Sequence, residues 1–306
     1  MKAVICKKYG PPEVLQITEI NKPVPKANEL LIKIKASAVN SGDVRVRALD
    51  VPGYLRIVMR VVLGITKPRK PVLGIVFSGV VENIGEKVKN FKVGDEVYAS
   101  AGFKFGAYAA YITLPEDGVI TLKPSKASFL EAAAIPFGGM SAIYFLQKAN
   151  ISGQENQKVL IYGATGAVGT AAIQIAKYYK AEVTAVCSEE GLELAKRLGS
   201  DNVLVYTKQD FTKSREKYDI IFDAVGKTNK KAIRSILKKE GIFITVGGLD
   251  VASESKEQLE FLKQLVEENL YEATIDKIYP FEQIVEAHRY VDLGRKKGNV
   301  VIEMED

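Results

Sequence analysis

Apolar and polar positions alternate through much of the first 120 residues. Leu30 to Ala36 reads Leu-Leu-Ile-Lys-Ile-Lys-Ala, and Ile75 to Glu82 reads Ile-Val-Phe-Ser-Gly-Val-Val-Glu. Val93 to Tyr98 places a Gly-Asp turn ahead of another strand. Successive strand side chains point to opposite faces, so this spacing with Gly and Pro punctuation predicts a compact barrel or bent sheet.

The pattern then changes. Ser128 to Leu146 is predicted helical but interrupted at Pro136 to Gly139, since proline and glycine are poor helix formers. Lys158 to Tyr162, Glu182 to Cys187, Val203 to Tyr206, Tyr218 to Ala224 and Ile242 to Val246 read as strands. Ala167 to Tyr179, Glu189 to Leu198 and Lys227 to Lys238 read as helices among them. That order predicts an α/β fold with a doubly wound parallel sheet and right-handed crossovers. A helix over Glu254 to Glu268, capped by Ser253 or Ser255, follows. The tail holds a helix over Phe281 to Leu293 and a strand over Asn299 to Glu303.

Gly163-Ala164-Thr165-Gly166-Ala167-Val168-Gly169 lies between a predicted strand and a predicted helix. In such a turn the first glycine permits the tight bend and the second lets the backbone approach a pyrophosphate. The third lets helix and strand pack closely, while the helix N-terminus faces the anion. The setting predicts dinucleotide binding. At the end of the second strand, NAD sites place an acid that holds the ribose hydroxyls. Here Cys187 and Ser188 occupy that end, followed by Glu189 and Glu190. A serine leaves room for a 2′-phosphate, two carboxylates oppose one, and Ser188 reads equally as a helix cap. Lys196, Arg197 and Lys208 are candidate phosphate partners.

Composition narrows the classes. A chain of 306 residues, 47% hydrophobic and 26% charged, excludes disorder, collagen and a disulfide-stapled mini-domain. The +6 charge, from 43 basic and 37 acidic residues, reads as a solvated surface rather than a nucleic-acid footprint. Val159 to Ala176 carries no charge, but its glycines, threonines and Gln174 make it strand, turn and helix. Leu55 to Leu63 is broken by Arg56 and Arg60. No targeting segment and no membrane partner are expected. Cys6, Cys187 and the single His288 are too few for a zinc site, and they suit a reducing cytoplasm rather than a disulfide framework.

Further runs carry a family likeness: Ala36-Ser37-Ala38-Val39-Asn40, Phe91 to Val97, Glu131 to Pro136, Phe222 to Gly226, and Pro280 to Ala287 with Gly298 to Val301. With the glycine turn, these make the chain resemble the medium-chain dehydrogenase/reductase superfamily. The specific likeness is to its zinc-independent quinone oxidoreductase (zeta-crystallin-like) branch, over nearly the whole length. Zinc-dependent relatives carry Cys-x-x-Asp where this chain has Asn40-Ser41-Gly42-Asp43, and Gly-His-Glu where it has Gly74-Ile75-Val76. They also carry a four-cysteine lobe near residues 95 to 110, which hold no cysteine here.

The resemblance implies a β-rich GroES-like catalytic domain over 1–122 plus 272–306 and a Rossmann domain over 123–271. It implies NADP(H) in preference to NAD(H), no zinc, and a substrate in the interdomain cleft. Gly163, Ala164, Thr165, Gly166, Ala167 and Val168 would meet the pyrophosphate, and Ser188 and Tyr206 the adenosine phosphate. Val225, Gly226, Val246 and Gly247 would line the cofactor, with Ser141 and Asn299 near the nicotinamide. Asn40 matches a substrate-side amide and also reads as a turn former. Tyr54 is a candidate proton donor or cleft wall, and also a packing aromatic. His288 reads as structural. Loops 49–69 and 102–106 would set the acceptor pocket. The family also implies a homodimer through a sixth strand, against which stands the short 248–254 segment.

The expected activity is hydride transfer from NAD(P)H to quinones or conjugated enones and enals. Alternatives are a 2-alkenal or 2-enoyl-thioester double-bond reductase, and a cofactor-binding protein acting through RNA or protein contacts.

Overall fold

The computed structural model describes every residue except 52, 54, 55, 249, 305 and 306. In chain order it holds β1 (Lys2–Cys6), β2 (Leu15–Glu19), β3 (Glu29–Val39), α1 (Ser41–Ala48), α2 (Arg56–Leu63), β4 (Val76–Ile84), β5 (Glu96–Ser100), β6 (Tyr111–Pro115), β7 (Ile120–Leu122) and α3 (Phe129–Lys148). Then come β8 (Lys158–Tyr162), α4 (Ala167–Tyr178), β9 (Glu182–Cys187), α5 (Leu192–Arg197), β10 (Asn202–Val205), β11 (Tyr218–Asp223) and β12 (Leu237–Thr245). The tail holds α6 (Lys256–Glu267), β13 (Ile275–Pro280), α7 (Ile284–Asp292) and β14 (Asn299–Glu303).

Contacts divide the chain into two units. The first comprises Met1–Phe137, Ser255–Glu267 and Ile275–Asp306; the second comprises Gly138–Glu254 and Glu268–Thr274. The sequence reading put residues 123–137 and α6 in the nucleotide-binding domain. Here they group with the first unit, where Leu259, Leu262 and Leu265 of α6 are buried and the Tyr98 hydroxyl donates to the Leu259 carbonyl.

The long strand β3 organises the first unit. It pairs with β6 over Glu29–Lys33, with β14 over Ala36–Val39 and with β4 from Leu30 to Ser37. Its inward residues Leu30, Ile32 and Ile34 join Val4, Phe77, Val97, Tyr108 and Ile302 in one apolar core. Two helices stand within the segment read as β-rich. Asn40 starts α1 through a capping box with Asp43, while α2 buries none of its residues. The apolar face of α2 points away from the core, so its period gave no inward signal to follow.

In the second unit the strand order is β10-β9-β8-β11-β12, every neighbour parallel. Written in chain order this is 3-2-1-4-5, the doubly wound arrangement whose ligand crevice opens where the order reverses, at the carboxyl ends of β8 and β11. Two helix expectations fail. α3 runs unbroken through Pro136, begun by reciprocal bonds between Ser128 and Glu131. Residues 230–236 form turns instead of a helix, because only isolated bonds such as Ile233 N–H to the Asn229 carbonyl and Leu237 N–H to the Ile233 carbonyl close there. Ile233 and Ile236 are nevertheless buried against Leu160 and Ile221. Among the described residues, α3 alone is long and apolar enough to cross a membrane, and its most apolar window is 67% buried.

Candidate functional site

The glycine turn separates glycines demanded by the fold from one that is not. Gly163 has φ +79°, and a Cβ there would collide with Val225 Cγ2. A Cβ on Gly169 would strike the Gly163 carbonyl. Gly166 differs. It sits at the N-cap of α4 with φ −79° and ψ 175°, open to any residue, and a Cβ there would meet nothing closer than the Gly163 carbonyl at 3.6 Å. Neither conformation nor packing requires glycine at 166. What its missing side chain leaves is room at a helix N-terminus that no side chain caps.

The surrounding backbone is packed to support that opening. A Cβ on Gly138 would collide with the Ala167 carbonyl, so α3 passes against the start of α4. Ser141 is half-buried one turn further along α3. A Cβ on Gly191 would lie 2.7 Å from Thr165 Cγ2, so the turn also rests on the loop after β9. Ala164 and Ala167 are buried and Val168 is partly exposed.

Beside the turn, the loop after β11 is built on one carboxylate. Asp223 is fully buried. Its Oδ1 accepts from the Val225 and Gly226 N–H groups at 3.0 and 2.8 Å, and its Oδ2 accepts from Thr228 N–H and the Thr245 hydroxyl at 2.8 and 3.2 Å. Val246 N–H donates to the Asp223 carbonyl. Gly226 and Gly247 touch backbone to backbone, a Cβ on either lying 2.6 Å from the other's Cα. Val225, Gly226, Val246 and Gly247 thus converge on the carboxyl end of β11, beside Gly163.

The third side of the second unit's site bears on cofactor choice. Ser188 begins a short 3₁₀ turn over Glu189–Gly191, but its hydroxyl makes no capping bond. Tyr206 is half-exposed and donates its N–H to the Cys187 carbonyl; its ring meets Tyr162 edge-on at 6.4 Å. Lys208 Nζ donates to Glu189 Oε1 at 2.5 Å, both side chains well exposed. Arg197 is paired with Glu272 and Lys196 with Glu193.

Asn40 and Asn299 belong to the first unit. Val300 pairs with Val39, so one further step of the antiparallel register sets Asn299 beside Asn40; both are buried. Asn40 Oδ1 accepts from Asp43 N–H at 3.1 Å, whereas Asn40 Nδ2 has no hydrogen-bond partner. A Cβ on Gly42 would lie 2.9 Å from Asn40 Oδ1, so glycine there leaves the carboxamide its place. Asp43 Oδ2 also accepts from the Tyr108 hydroxyl at 2.9 Å, and burial with the Asp43 charge raises the Tyr108 phenol well above its usual range. Arg47, from the same helix, donates from Nη2 to both carboxylate oxygens of Asp292 on α7 at 2.8 and 3.0 Å, and its Nη1 lies 3.3 Å from His288 Nδ1. Burial, and secondly the Arg47 charge, lower the His288 pKa to about 3, so its imidazole is neutral and structural. Tyr54 lies outside the described residues.

Asp223, Gly138, Gly42 and Gly191 escaped the sequence reading as site residues. Asp223 stood inside a family run, but only the folded loop reveals its four donors. The roles of Gly138 and Gly191 depend on neighbours distant in sequence.

Comparison with known proteins follows the same division. A family model for the alcohol dehydrogenase GroES-like domain matches residues 26–124, and zinc-binding dehydrogenase models match residues 167–275 and 249–302. The chain is 34% identical to a 2-methylene-furan-3-one reductase of Solanum lycopersicum, covering 99% of this chain and 79% of the relative. It is 31% identical to the chloroplastic NADPH-dependent alkenal/one oxidoreductase of Arabidopsis thaliana, with the same coverage. The solved quinone oxidoreductase from Coxiella burnetii superposes with a TM-score of 0.84 at 27% identity, over 100% of this chain and 99% of that one. With a GroES-like β-rich unit, a doubly wound parallel unit and a glycine turn opened at Gly166, the chain belongs to the medium-chain dehydrogenase/reductase family.

Proposed function

We propose that this protein reduces the double bond of conjugated enones or enals, and quinones as a second class, with NADPH preferred to NADH and without zinc. The opening at Gly166 carries the reading, since neither its φ nor a clash of a Cβ demands glycine there and the missing side chain keeps the α4 N-terminus clear. The names of the two plant relatives support enones and alkenals as acceptors, and that of the Coxiella burnetii structure supports quinones.

The nicotinamide supplies the hydride when bound. The first-turn amides of α4 would hold the pyrophosphate, with Gly166 leaving them accessible. The loops fixed by Asp223 shape the adjoining wall. Ser188 leaves space for a 2′-phosphate near Tyr206. In the first unit, buried Asn40 Nδ2 is a donor without a partner, suited to an acceptor oxygen that gains negative charge as hydride arrives at the conjugated carbon. Conjugation spreads that charge, so amide donors serve where a simple alcohol would call for a Lewis acid to stabilise its alkoxide. Zinc independence rests on the ligand chemistry: Asn40 stands at the family's first cysteine ligand, and the only imidazole is buried against Arg47.

The test is oxidation of NADPH and NADH against a panel of enones, enals, quinones and simple aldehydes, with NAD(P)⁺-dependent alcohol oxidation run in parallel. Conjugated acceptors should drive turnover that a chelator leaves intact. Efficient alcohol oxidation, or turnover abolished by chelation and restored by zinc, would overturn the reading.

A further inference from the structure

Helix α2 presents its apolar side to solvent. None of its residues is buried. Ile57, Val58, Val61 and Val62 are 77, 55, 59 and 59% exposed, and Ile65 just beyond is 68% exposed. At about 100° per residue the four helical positions occupy one arc of about 140°. The opposite side, with Met59 and Leu63, is half-buried. The helix end is held in place: Tyr9 donates its hydroxyl to the Gly64 carbonyl at 2.8 Å, and Arg60 donates to the Ile65 carbonyl at 2.5 Å.

The charge along this segment has one sign. From Val51 to Val81 the sequence contains no Asp or Glu, but Arg56, Arg60, Lys67, Arg69 and Lys70. Arg56, Lys67, Arg69 and Lys70 are exposed, and none makes a salt bridge among the described residues. Directly after the helix lies an open cleft of about 390 Å³ lined by Gly64, Ile65, Lys67, Pro68, Arg69 and Pro71. An outward apolar arc, unpaired cations beside it and a cation-lined cleft are the chemistry of an interfacial helix on an anionic lipid surface.

We propose that α2 and the 64–71 loop bind the surface of an anionic phospholipid bilayer. The apolar arc enters the headgroup boundary, while Lys67, Arg69 and Lys70 meet phosphate and carboxylate headgroups. This replaces the expectation of no membrane partner; it requires no spanning segment, and it does not depend on the reductase reading. A second copy of the chain fits the face less well, because two such loops bring like charge together and an eight-residue helix offers far less than the ~800 Å² per partner of a stable interface.

The test uses the full chain with vesicles of phosphatidylcholine alone, or with about 30% phosphatidylserine. Binding should need phosphatidylserine and fall by roughly tenfold or more as salt rises from ~50 to ~300 mM. Val58→Glu with Val62→Glu, and separately Lys67→Ala with Arg69→Ala, should each weaken binding by at least about tenfold, with melting temperatures showing the variants folded. The chain has no tryptophan, so Val61→Trp installs a lone tryptophan whose emission, excited selectively at the red edge of indole absorption, should shift to the blue only on anionic vesicles. Absence of binding, binding that the folded variants leave unchanged, or a solution dimer dissolved by the Val58 and Val62 changes would each overturn the proposal.

Discussion

Asn40 and Asp43 cap one another. Asn40 Oδ1 accepts from Asp43 N–H at 3.1 Å, and Asp43 Oδ2 accepts from Asn40 N–H at 3.2 Å. The bond uses the carboxamide oxygen and leaves Nδ2 without a partner, the donor we propose for substrate. The two roles separate by substitution. Asn40→Ser keeps a good N-cap and should cost well under the ~1 kcal/mol typical of losing one. It removes the amide donor, and kcat/KM for an enone should fall by about 10²–10³. Parallel thermal melts and steady-state kinetics check this; equal kinetics for Ser and Asn at 40 would remove Asn40 from the reaction.

At Gly166 folding and binding should also come apart. A Cβ at 166 meets only the Gly163 carbonyl at 3.6 Å and an unstrained φ, so Gly166→Val should fold, losing about 1 kcal/mol for the poorer N-cap. Its NADPH affinity should fall at least about tenfold, since the side chain fills the approach to the α4 amides. Gly163→Val should instead unfold the protein, because it combines a positive φ with a collision at Val225. Cofactor fluorescence titration of the folded variant decides the matter.

Asp223→Ala removes a buried carboxylate that accepts four hydrogen bonds. With hydrogen bonds to a charged group contributing about 1.5–3 kcal/mol each and not summing fully, a loss of roughly 3–5 kcal/mol is expected in urea denaturation. Asp223→Asn retains the acceptor oxygen and should recover part of it.

His288 predicts an acid-sensitive stability. Its pKa is about 3 in the folded protein, against about 6.5 when unfolded. Below pH 6.5 the unfolded chain takes up a proton that the folded chain refuses, so this contribution is complete above pH 6.5 and is lost as pH falls towards 3. Between pH 7 and 5 it should amount to about 2 kcal/mol. Urea titrations at both pH values should show that loss in the wild type and a flatter profile in His288→Gln.

Cofactor preference should be adjustable beside Ser188. Lys208 is engaged by Glu189, which keeps its charge from a 2′-phosphate. Glu189→Gln releases the lysine and removes a like charge, so the NADPH to NADH ratio of kcat/KM should rise about tenfold, equal to ~1.4 kcal/mol. Glu190→Arg should raise it by roughly ten- to hundredfold if the side chain faces the phosphate. A strong wild-type preference for NADH would mean that one of these glutamates holds the ribose.

The parallel unit was legible because its central strands β8, β9 and β11 are largely buried and read as apolar runs, and β8 and β9 match the sequence reading to the residue. Helices were less so. Ser41 to Ala48 carries valines and arginines in alternation that imitate a strand, and only the Asn40–Asp43 cap, an interaction across three residues, declares the helix. Pro136 looked like a stop, yet a proline costs one backbone bond and the burial of Ala132, Ile135 and Met140 outweighs it. At the site, the glycine turn carried its own signature. Asp223 and Gly138 did not, since what they do is set by partners brought close only by folding.

Gly226 and Gly247 constrain each other in a way that bears on how such a protein diverges. Each occupies the space a Cβ on the other would need, so changing either one alone collides with the backbone opposite. Mutational drift therefore has no single step through this pair. The route that stays open runs along the rim, where Glu189, Glu190, Tyr206 and Lys208 are exposed and neighbouring substitutions cost little. Descendants of this chain should exchange cofactor preference there many times before either glycine changes.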